Sequence, residues 1–130
     1  MPADFSADVK RLGALLGQEV PRDNEIAIRL ERFDAAVMIA DDEARYVAVN
    51  TRAVALTGYS MPELLTMSVP DLTPVPNTAD FRSLWRDFIR GGTQKGTYQL
   101  RRKDGTVIAV RYAAWSGIAP GRHVTTMTPA

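Results

Sequence analysis

The segment that decides the organisation of this chain is residues 50–65, which read NTRAVALTGYSMPELL. Asn50 is typical of a helix N-cap, because its side-chain oxygen can accept a hydrogen bond from an amide of the first turn. Gly58 tolerates the left-handed backbone that follows a helix C-terminus. Pro62 is favoured in the first turn of the next helix, just before Glu63. The segment therefore predicts two short helices joined by a tight turn.

The residues before this segment predict a β-hairpin. The apolar run Ala36–Ala40 and a second run from residue 45 to residue 49 are separated by four turn residues, 41–44. The turn holds the only tight group of carboxylates in the sequence. We interpret them as solvated turn residues rather than an acid–base pair, because a hairpin tip is exposed to water. They are Asp41, Asp42 and Glu43.

The residues after this segment predict one longer helix, from about residue 77 to residue 90. Apolar side chains recur there with the i, i+3, i+4, i+7 spacing of a helix that buries one face. Gly91 and Gly92 end the helix, because glycine interrupts helical backbone. The predicted buried face consists of Phe81, Leu84, Trp85, Phe88 and Ile89.

Three further strands are predicted beyond this helix. Residues 97–103 and 106–116 are rich in strand-forming side chains, and Asp104-Gly105 between them is typical of a hairpin turn in which both residues adopt positive φ. A second turn at Pro120-Gly121 precedes a last strand over residues 123–128. The three predicted strands are therefore consecutive along the chain.

Because hairpins dominate this order, we expect an α+β fold in which a five-stranded antiparallel sheet carries helices on one face. Residues 33–130 form this main domain. Residues 1–32 precede it as an N-terminal helical extension, with helices predicted from Ser6 and from Asp23 or Asn24. The extension either covers the core of its own domain or forms a dimer contact, and the sequence favours neither.

The composition excludes several classes of function. The 130 residues include no cysteine and a single histidine, which excludes disulfides and thiolate nucleophiles and indicates no metal site and no catalytic triad. The net charge of +1 does not favour nucleic acid or anionic lipid as a partner. No apolar run is long enough for a membrane span, so we expect a cytoplasmic protein. Because no catalytic arrangement can be built, we also expect that the chain is not itself an enzyme.

The order of elements, together with the residues at its joints, resembles a PAS domain over residues 33–128. The chain departs from that family at Thr66, where glycine is common, and at residues 126–128, where the family often has Asp-Ile-Thr. The matching stretches are Asn50, Thr57-Gly58-Tyr59-Ser60, Glu63-Leu64-Leu65 and Arg101-Arg102-Lys103-Asp104-Gly105. The residues that match the fold motif are Asn50, Gly58, Tyr59, Glu63, Asp104 and Gly105.

The resemblance implies a sheet that cups a cavity against the helices. Alternate residues of the long hairpin and the last strand, with two residues of the long helix, would line it with apolar groups and two phenol hydroxyls. The same residues would also fill a solid or nearly solid core, and the sequence slightly favours this second interpretation. The candidate pocket residues are Trp85, Phe88, Tyr98, Leu100, Ile108, Val110, Tyr112, Ala114, Val124 and Thr126.

The resemblance also constrains the cofactor, which stays unidentified. A covalent flavin and a thioester chromophore both need a cysteine, which the chain lacks. The polar residues that hold the flavin ring in light-sensing relatives fall on Leu100, Val110 and Val124. A non-covalent flavin sensor matches at Trp85 but again has Leu100 where it needs an asparagine. Haem is not expected, because His123 lies on the last predicted strand, facing outward, and not on the long helix.

The function implied by the resemblance is that of a sensory module in signal transduction. Such a module binds a small apolar metabolite or a partner protein and relays the change to an effector, such as a kinase, a cyclase or a transcription regulator. The alternatives are a ligand-free dimerisation scaffold and a non-covalent flavin-binding redox sensor. Trp115 should point away from the pocket, which indicates a covered patch, so we expect a homodimer formed through the outer sheet face and the N-terminal helices.

Overall fold

The computed structural model of the chain describes residues 6–18, 23–74 and 78–130. The predicted caps at Ser6, Asp23 and Asn24, and the predicted helix start at residue 77, lie outside the described side chains or residues. The elements are α1 Ser6–Gln18, α2 Asp23–Leu30, β1 Ala36–Ala40, β2 Tyr46–Val49, α3 Thr51–Thr57, α4 Met61–Leu64, a 3₁₀ helix Val69–Leu72, α5 Thr78–Gly91, β3 Thr93–Arg101, β4 Val107–Ala119 and β5 Arg122–Pro129.

The five strands form one antiparallel sheet in the order β2-β1-β5-β4-β3. Hairpins join β1 to β2, β3 to β4 and β4 to β5, and β1 pairs with β5 in the middle of the sheet. Between the two edge strands, β2 and β3, the chain leaves the sheet and forms α3, α4, the 3₁₀ helix and α5. The predicted α+β fold with a five-stranded antiparallel sheet is confirmed.

The two faces of the sheet bury separate clusters of side chains, because neighbouring residues of a strand point to opposite faces. In β1, Val37 and Ile39 belong to one cluster, whereas Ala36, Met38 and Ala40 belong to the other. The first cluster contains side chains of α1 and α2, and we call its side the outer face. The second contains side chains of α3, α4, the 3₁₀ helix and α5, and we call its side the inner face.

The N-terminal helices cover the outer face of their own sheet. Val9 and Leu12 of α1 are buried there with Ile26 and Leu30 of α2, and Trp115 is half-buried against the same cluster. The extension therefore covers the core of its own domain. The apolar patch predicted around Trp115 is covered within the chain.

Asn50 joins this outer cover to the sheet and to α3. Its side chain is fully buried, and its Oδ1 atom accepts hydrogen bonds of 3.0 Å from the amides of Val37 and Ala53. Its Nδ2 atom donates to the carbonyl of Leu30 at 3.0 Å and to that of Ala35 at 2.8 Å. A buried amide is tolerated when its donors and acceptors are paired, so Asn50 has a structural role.

Two other residues of the fold motif hold the turn and helix that follow. Gly58 has a φ of 79° and donates its amide to the carbonyl of Val54 at 2.9 Å, which ends α3. Glu63 accepts a hydrogen bond from the amide of Ser60 and an ion pair from the ammonium of Lys103, each at 2.9 Å. The Ser60 amide, and after it Lys103, lower the pKa of Glu63 to about 2. These contacts attach α4 to the β3–β4 turn.

The β3–β4 turn differs from the predicted turn. Gly105 has a φ of 89°, but Asp104 does not adopt positive φ. The amide of Gly105 donates to the carbonyl of Arg102 at 3.0 Å, so the turn is a three-residue loop that ends in a left-handed glycine. The carboxylate of Asp104 accepts from the hydroxyl and the amide of Thr106 at 2.6 and 2.9 Å, which lowers the pKa of Asp104.

Strand β3 begins four residues earlier than predicted. Helix α5 ends at Gly91, and Gly92, with a φ of 88°, turns the chain directly into the strand at Thr93. The amide of Ser116 donates to the carbonyl of Gly92 at 2.8 Å, and its hydroxyl donates to that of Ile89 at 3.0 Å. The end of α5 is therefore held on β4. In the described ranges, no helix is both long enough and apolar enough to span a lipid bilayer.

Candidate functional site

A cavity of about 220 Å³ lies between α5 and the inner face of the sheet. Two of its lining residues, Leu84 and Gln94, are exposed, so the cavity reaches the surface between α5 and the start of β3. The inner face is therefore hollow, and the preference for a solid core was wrong. The lining residues are Met38, Tyr46, Val69, Phe81, Leu84, Trp85, Phe88, Gln94, Tyr98, Leu100, Tyr112, Ala114, Thr125 and Met127.

Helix α5 supplies an aromatic wall. Phe81, Trp85 and Phe88 all line the cavity, and the ring centroids are 5.8 Å apart for Phe81 and Trp85 and 5.3 Å apart for Trp85 and Phe88. Leu84 was predicted on the buried face, and this prediction is wrong, because its side chain is 60% exposed. The buried stripe of α5 is narrower than the pattern indicated, and Leu84 lies at the cavity mouth.

The long hairpin forms the opposite wall. Tyr112 lies across the sheet from Gly96, where an added Cβ would come within 3.3 Å of the tyrosine ring, so the glycine leaves room for that ring. The other predicted hairpin residues lie on the inner side as well, but Ile108 and Val110 pack in the inner cluster without lining the cavity. Tyr59 of the fold motif is half-buried in the same cluster. The hairpin residues that line the cavity are Gln94, Tyr98, Leu100, Tyr112 and Ala114.

The face of β5 was predicted wrongly. Val124 is opposite Trp115 in the sheet and packs in the outer cluster, and Thr126 is opposite Ala113. The residues of β5 that line the cavity are Thr125 and Met127. A shift of one residue moves every side chain of a strand to the other face. The two-residue turn at residues 120–121 predicts this register, because it places an even-numbered residue of β4 opposite an odd-numbered residue of β5.

His123 was also predicted on the outer side of β5, and this prediction is wrong. The side chain is 4% exposed, and its ring lies 5.7 Å from that of Trp85 and 6.1 Å from that of Phe88. Its Nδ1 atom accepts from the amide of Gly117 at 2.9 Å, so Nε2 carries the proton of the neutral ring and donates to Asp42 Oδ1 at 2.8 Å. His123 therefore lies beside the cavity wall.

Asp42 connects this histidine to the cavity lining. Its backbone carbonyl accepts a hydrogen bond of 2.9 Å from Nε1 of Trp85, while its carboxylate pairs with His123. Asp41, the neighbouring carboxylate, instead accepts from the amides of Glu43 and Arg45 and closes the turn. The acidic turn is therefore not merely solvated. Among the described side chains, no three of His, Asp and Glu gather into a group that would hold a metal ion.

A family model described as the PAS fold matches residues 30–124 of this chain. The chain belongs to the PAS fold family. A search of curated proteins finds no match.

Solved structures of PAS domains share this architecture. The PAS domain of a Desulfitobacterium hafniense protein is 21% identical, with a TM-score of 0.69, over 78% of this chain and 97% of its own. A domain of a sensory box sensor histidine kinase/response regulator from Geobacter sulfurreducens is 19% identical, with a TM-score of 0.68, over 80% and 90%. The PAS domain of a LuxR-family transcriptional regulator from Burkholderia thailandensis, described in complex with ethanol, is 15% identical, with a TM-score of 0.62, over 78% and 94%.

The cavity of this PAS domain carries three phenol groups. Burial raises the pKa of Tyr46, Tyr98 and Tyr112, and Tyr98 and Asp71 raise that of Tyr46 further. All three hydroxyls are therefore protonated and uncharged at neutral pH. The hydroxyl of Tyr98 shares a hydrogen bond with that of Thr73.

Several cavity residues of this PAS domain were missed from the sequence. Met38, Tyr46 and Val69 come from β1, β2 and the 3₁₀ helix, which the pocket prediction did not use. Strand β1 reads as a continuous apolar run, which shows burial on both sides but not which side is hollow. Tyr46 carried a usable signal, because it is the first residue of a strand that otherwise consists of valine and alanine.

Proposed function

We propose that this PAS domain senses a small molecule held in the cavity beside α5 and relays its presence to the β1–β2 turn through Trp85. The observation that carries the proposal is the cavity of about 220 Å³, with Trp85 in its wall. Leu84 and Gln94 at the mouth give a small molecule a way in. The ligand enters apolar surroundings, as is usual for small-molecule pockets.

The size of the cavity supports a small ligand rather than a large cofactor. Pockets for drug-sized molecules occupy roughly 300–1,000 Å³, so about 220 Å³ is below that range. A flavin or a haem therefore does not suit this cavity, and a metabolite of a few carbon atoms does. The Burkholderia thailandensis domain described with ethanol supports a small neutral molecule as occupant of this fold.

The contacts of Trp85 support the relay. Its ring borders the cavity, and its Nε1–H group donates to the carbonyl of Asp42 at 2.9 Å. The carboxylate of Asp42 holds His123, which in turn accepts the amide of Gly117 near the end of β4. A ligand that displaces the indole ring therefore changes the β1–β2 turn and the β4–β5 hairpin together. In this proposal an attached effector or partner protein detects the change, because a ligand shifts an equilibrium between states that it binds unequally.

Binding is tested by titrating the ¹⁵N-labelled chain with toluene, a neutral probe of suitable size, and recording amide shifts. We expect shifts at the cavity residues of the wild-type chain. Ala114→Leu fills the cavity from β4 and should abolish them, whereas Ala109→Leu, on an exposed position of the same strand, should retain them. Absence of shifts in the wild-type chain, or equal shifts in Ala114→Leu, would contradict the proposal.

The relay is tested with Trp85→Phe, which keeps an aromatic ring but removes the donor to Asp42. In the wild-type chain, the probe should shift the amides of Asp42, Gly117 and His123 as well as those of the cavity. In Trp85→Phe the cavity shifts should remain while the three distant shifts fall severalfold. If the distant shifts persist in full, the signal does not pass through the indole nitrogen.

A dimerisation scaffold is the second candidate, favoured by Ile28 of α2, which is 71% exposed. The outer face is already covered by α1 and α2, so a second copy would contact these helices rather than the sheet. Sedimentation equilibrium of the wild-type chain and of Ile28→Glu tests this candidate. A dimer that Ile28→Glu dissociates supports it, and a monomer at every concentration contradicts it.

A further inference from the structure

Tyr46 presents a phenol hydroxyl to the cavity. It is 7% exposed and lines the cavity, and its hydroxyl has no hydrogen-bond partner in the part of the chain that the structure describes. The backbone amide of Tyr46 is satisfied, because it donates to the carbonyl of Met67 at 3.0 Å. The hydroxyl oxygen is not among the described side-chain atoms that are both fully buried and unpaired, so it is accessible from the cavity. The unpaired Tyr46 hydroxyl is therefore available to a molecule in the cavity.

The other two phenol groups of the cavity differ from Tyr46. The hydroxyl of Tyr98 already shares a hydrogen bond with that of Thr73. Tyr112 is only half-buried, with its ring over Gly96. Pairing with a ligand therefore gains most at Tyr46, which is the most deeply buried of the three.

The lining of the cavity disfavours an ion. It contains no Asp, Glu, Lys, Arg or His side chain among the described residues. A charged ligand would lose its hydration without gaining an opposite charge, which is costly in apolar surroundings. Tyr46 is itself uncharged, since burial raises its pKa above the usual value. The cavity therefore suits a neutral molecule.

The volume sets the size of that molecule. A protein cavity of about 150 Å³ holds benzene, which has six non-hydrogen atoms. By proportion, the cavity of about 220 Å³ holds roughly nine such atoms. One ring with a short substituent has this size.

We propose that the cavity selects a neutral molecule of about one ring that carries a single hydroxyl or carbonyl group, and that the Tyr46 hydroxyl recognises this group. The inference rests on the proposed function, because it names the class of ligand for the same cavity. Met38 and the aromatic wall of α5 contact the ring, while Tyr46 pairs with the polar substituent.

The test compares phenol with toluene, which have the same number of non-hydrogen atoms and differ in a hydroxyl against a methyl group. Their Kd values are measured by amide-shift titration of the full chain. We expect the wild-type chain to bind phenol about five- to tenfold more tightly than toluene, the gain of one hydrogen bond. Tyr46→Phe should abolish this preference without weakening the binding of toluene. Tyr112→Phe, the matched control in the same cavity, should retain it.

Two further measurements keep the assignment falsifiable. Benzoate, a charged molecule of similar size, should cause no cavity shifts at a concentration at which phenol saturates the chain, and binding as tight as that of phenol would overturn the neutral class. Tyr46→Phe should leave the thermal midpoint unchanged or raised, because the hydroxyl that it removes has no hydrogen-bond partner among the described residues. A clear fall in the midpoint would mean that the hydroxyl stabilises the fold, which would also overturn the assignment.

The outcomes separate this inference from the proposed function. If phenol and toluene bind equally, or if the preference survives in Tyr46→Phe, the recognition by Tyr46 is wrong while the cavity remains a binding site. If neither molecule shifts the cavity residues of the wild-type chain, the proposed function and the inference are both wrong.

Discussion

The outer face of the sheet is filled by side chains of the N-terminal helices, whereas the inner face encloses a cavity of about 220 Å³ beneath α5. The same strands supply both faces. On the outer side, Leu30, Val37 and Val124 are fully buried in a single cluster. On the inner side, aromatic rings and methionines border unfilled space.

The difference shows that the outer face serves stability, whereas the inner face offers space that a ligand could occupy. Unfilled apolar space forfeits dispersion contacts, so the inner face gives up packing energy that the outer face retains. The Tyr46 hydroxyl on the inner face has no hydrogen-bond partner among the described residues, while the buried amide of Asn50 has all four of its hydrogen bonds. Asn50 stabilises the fold, and the Tyr46 hydroxyl is the group that we propose for ligand recognition.

The largest expected effect comes from shortening a leucine on each face. Leu30→Ala should lower the free energy of unfolding by about 2–5 kcal/mol, because it opens a cavity in a filled core. Leu84→Ala should change it by no more than about 0.5 kcal/mol, because the side chain is largely exposed at the cavity mouth. Urea denaturation of both variants measures the two values. Similar losses in the two variants would contradict the contrast between the faces.

A smaller effect, of opposite sign on the two faces, is expected when an alanine is enlarged. Ala48 is buried in the outer cluster, so Ala48→Val should destabilise the chain by about 1–3 kcal/mol through overpacking. Ala114 lines the cavity, so Ala114→Val should stabilise it by about 0.5–1 kcal/mol by filling space. Thermal denaturation gives both signs. A loss in Ala114→Val as large as that in Ala48→Val would mean that the inner face has no room.

The smallest effect concerns Glu63, which attaches the inner cover to the β3–β4 turn. Its pKa is about 2 in the folded chain and 4.5 without these contacts, so its contribution to stability is present above pH 4.5 and is lost as the pH falls toward 2. Glu63→Gln should therefore lower the thermal midpoint slightly at pH 7, and the difference from the wild-type chain should shrink below pH 4.5. The midpoints are measured from pH 7 downward.

Lys103→Met is the control for this pH dependence. It removes the ion pair but leaves the Ser60 amide, which is the larger cause of the lowered pKa of Glu63. Most of the pH dependence should therefore remain in Lys103→Met. A pH dependence that disappears completely would show that the lysine is the main cause.

Local signals predicted most of the fold. Helix α3 begins after Asn50 and ends before Gly58, as predicted. Helix capping and left-handed backbone depend on single residues and their neighbours in sequence. The spacing of Phe81, Trp85 and Phe88 predicted α5 and its cavity-facing side. At Asp104 the turn type was wrong, because Asp-Gly is compatible with both a two-residue and a three-residue loop.

The candidate site was predicted only in part, because it depends on contacts between distant residues. Trp85, Phe88, Tyr98, Leu100 and Tyr112 line the cavity, since they lie on elements with strong local patterns. The placement of β5 failed because the face of a strand follows from its pairing with its neighbours. The pairing of Asp42 with His123 joins the β1–β2 turn to β5 across 81 positions of the sequence, which no local pattern indicates.

By itself the sequence determined the elements of this chain, their antiparallel order and the PAS resemblance, because helix caps, hairpin turns and amphipathic spacing act over a few residues. Only the tertiary structure decided that the inner face is hollow, that β5 presents Thr125 and Met127 to it, and that the Tyr46 hydroxyl there has no partner among the described residues. Each of these depends on how much space opposing elements leave between them. That space is set by the packing of the whole chain, since a sequence specifies the volumes of its side chains but not the gaps between them.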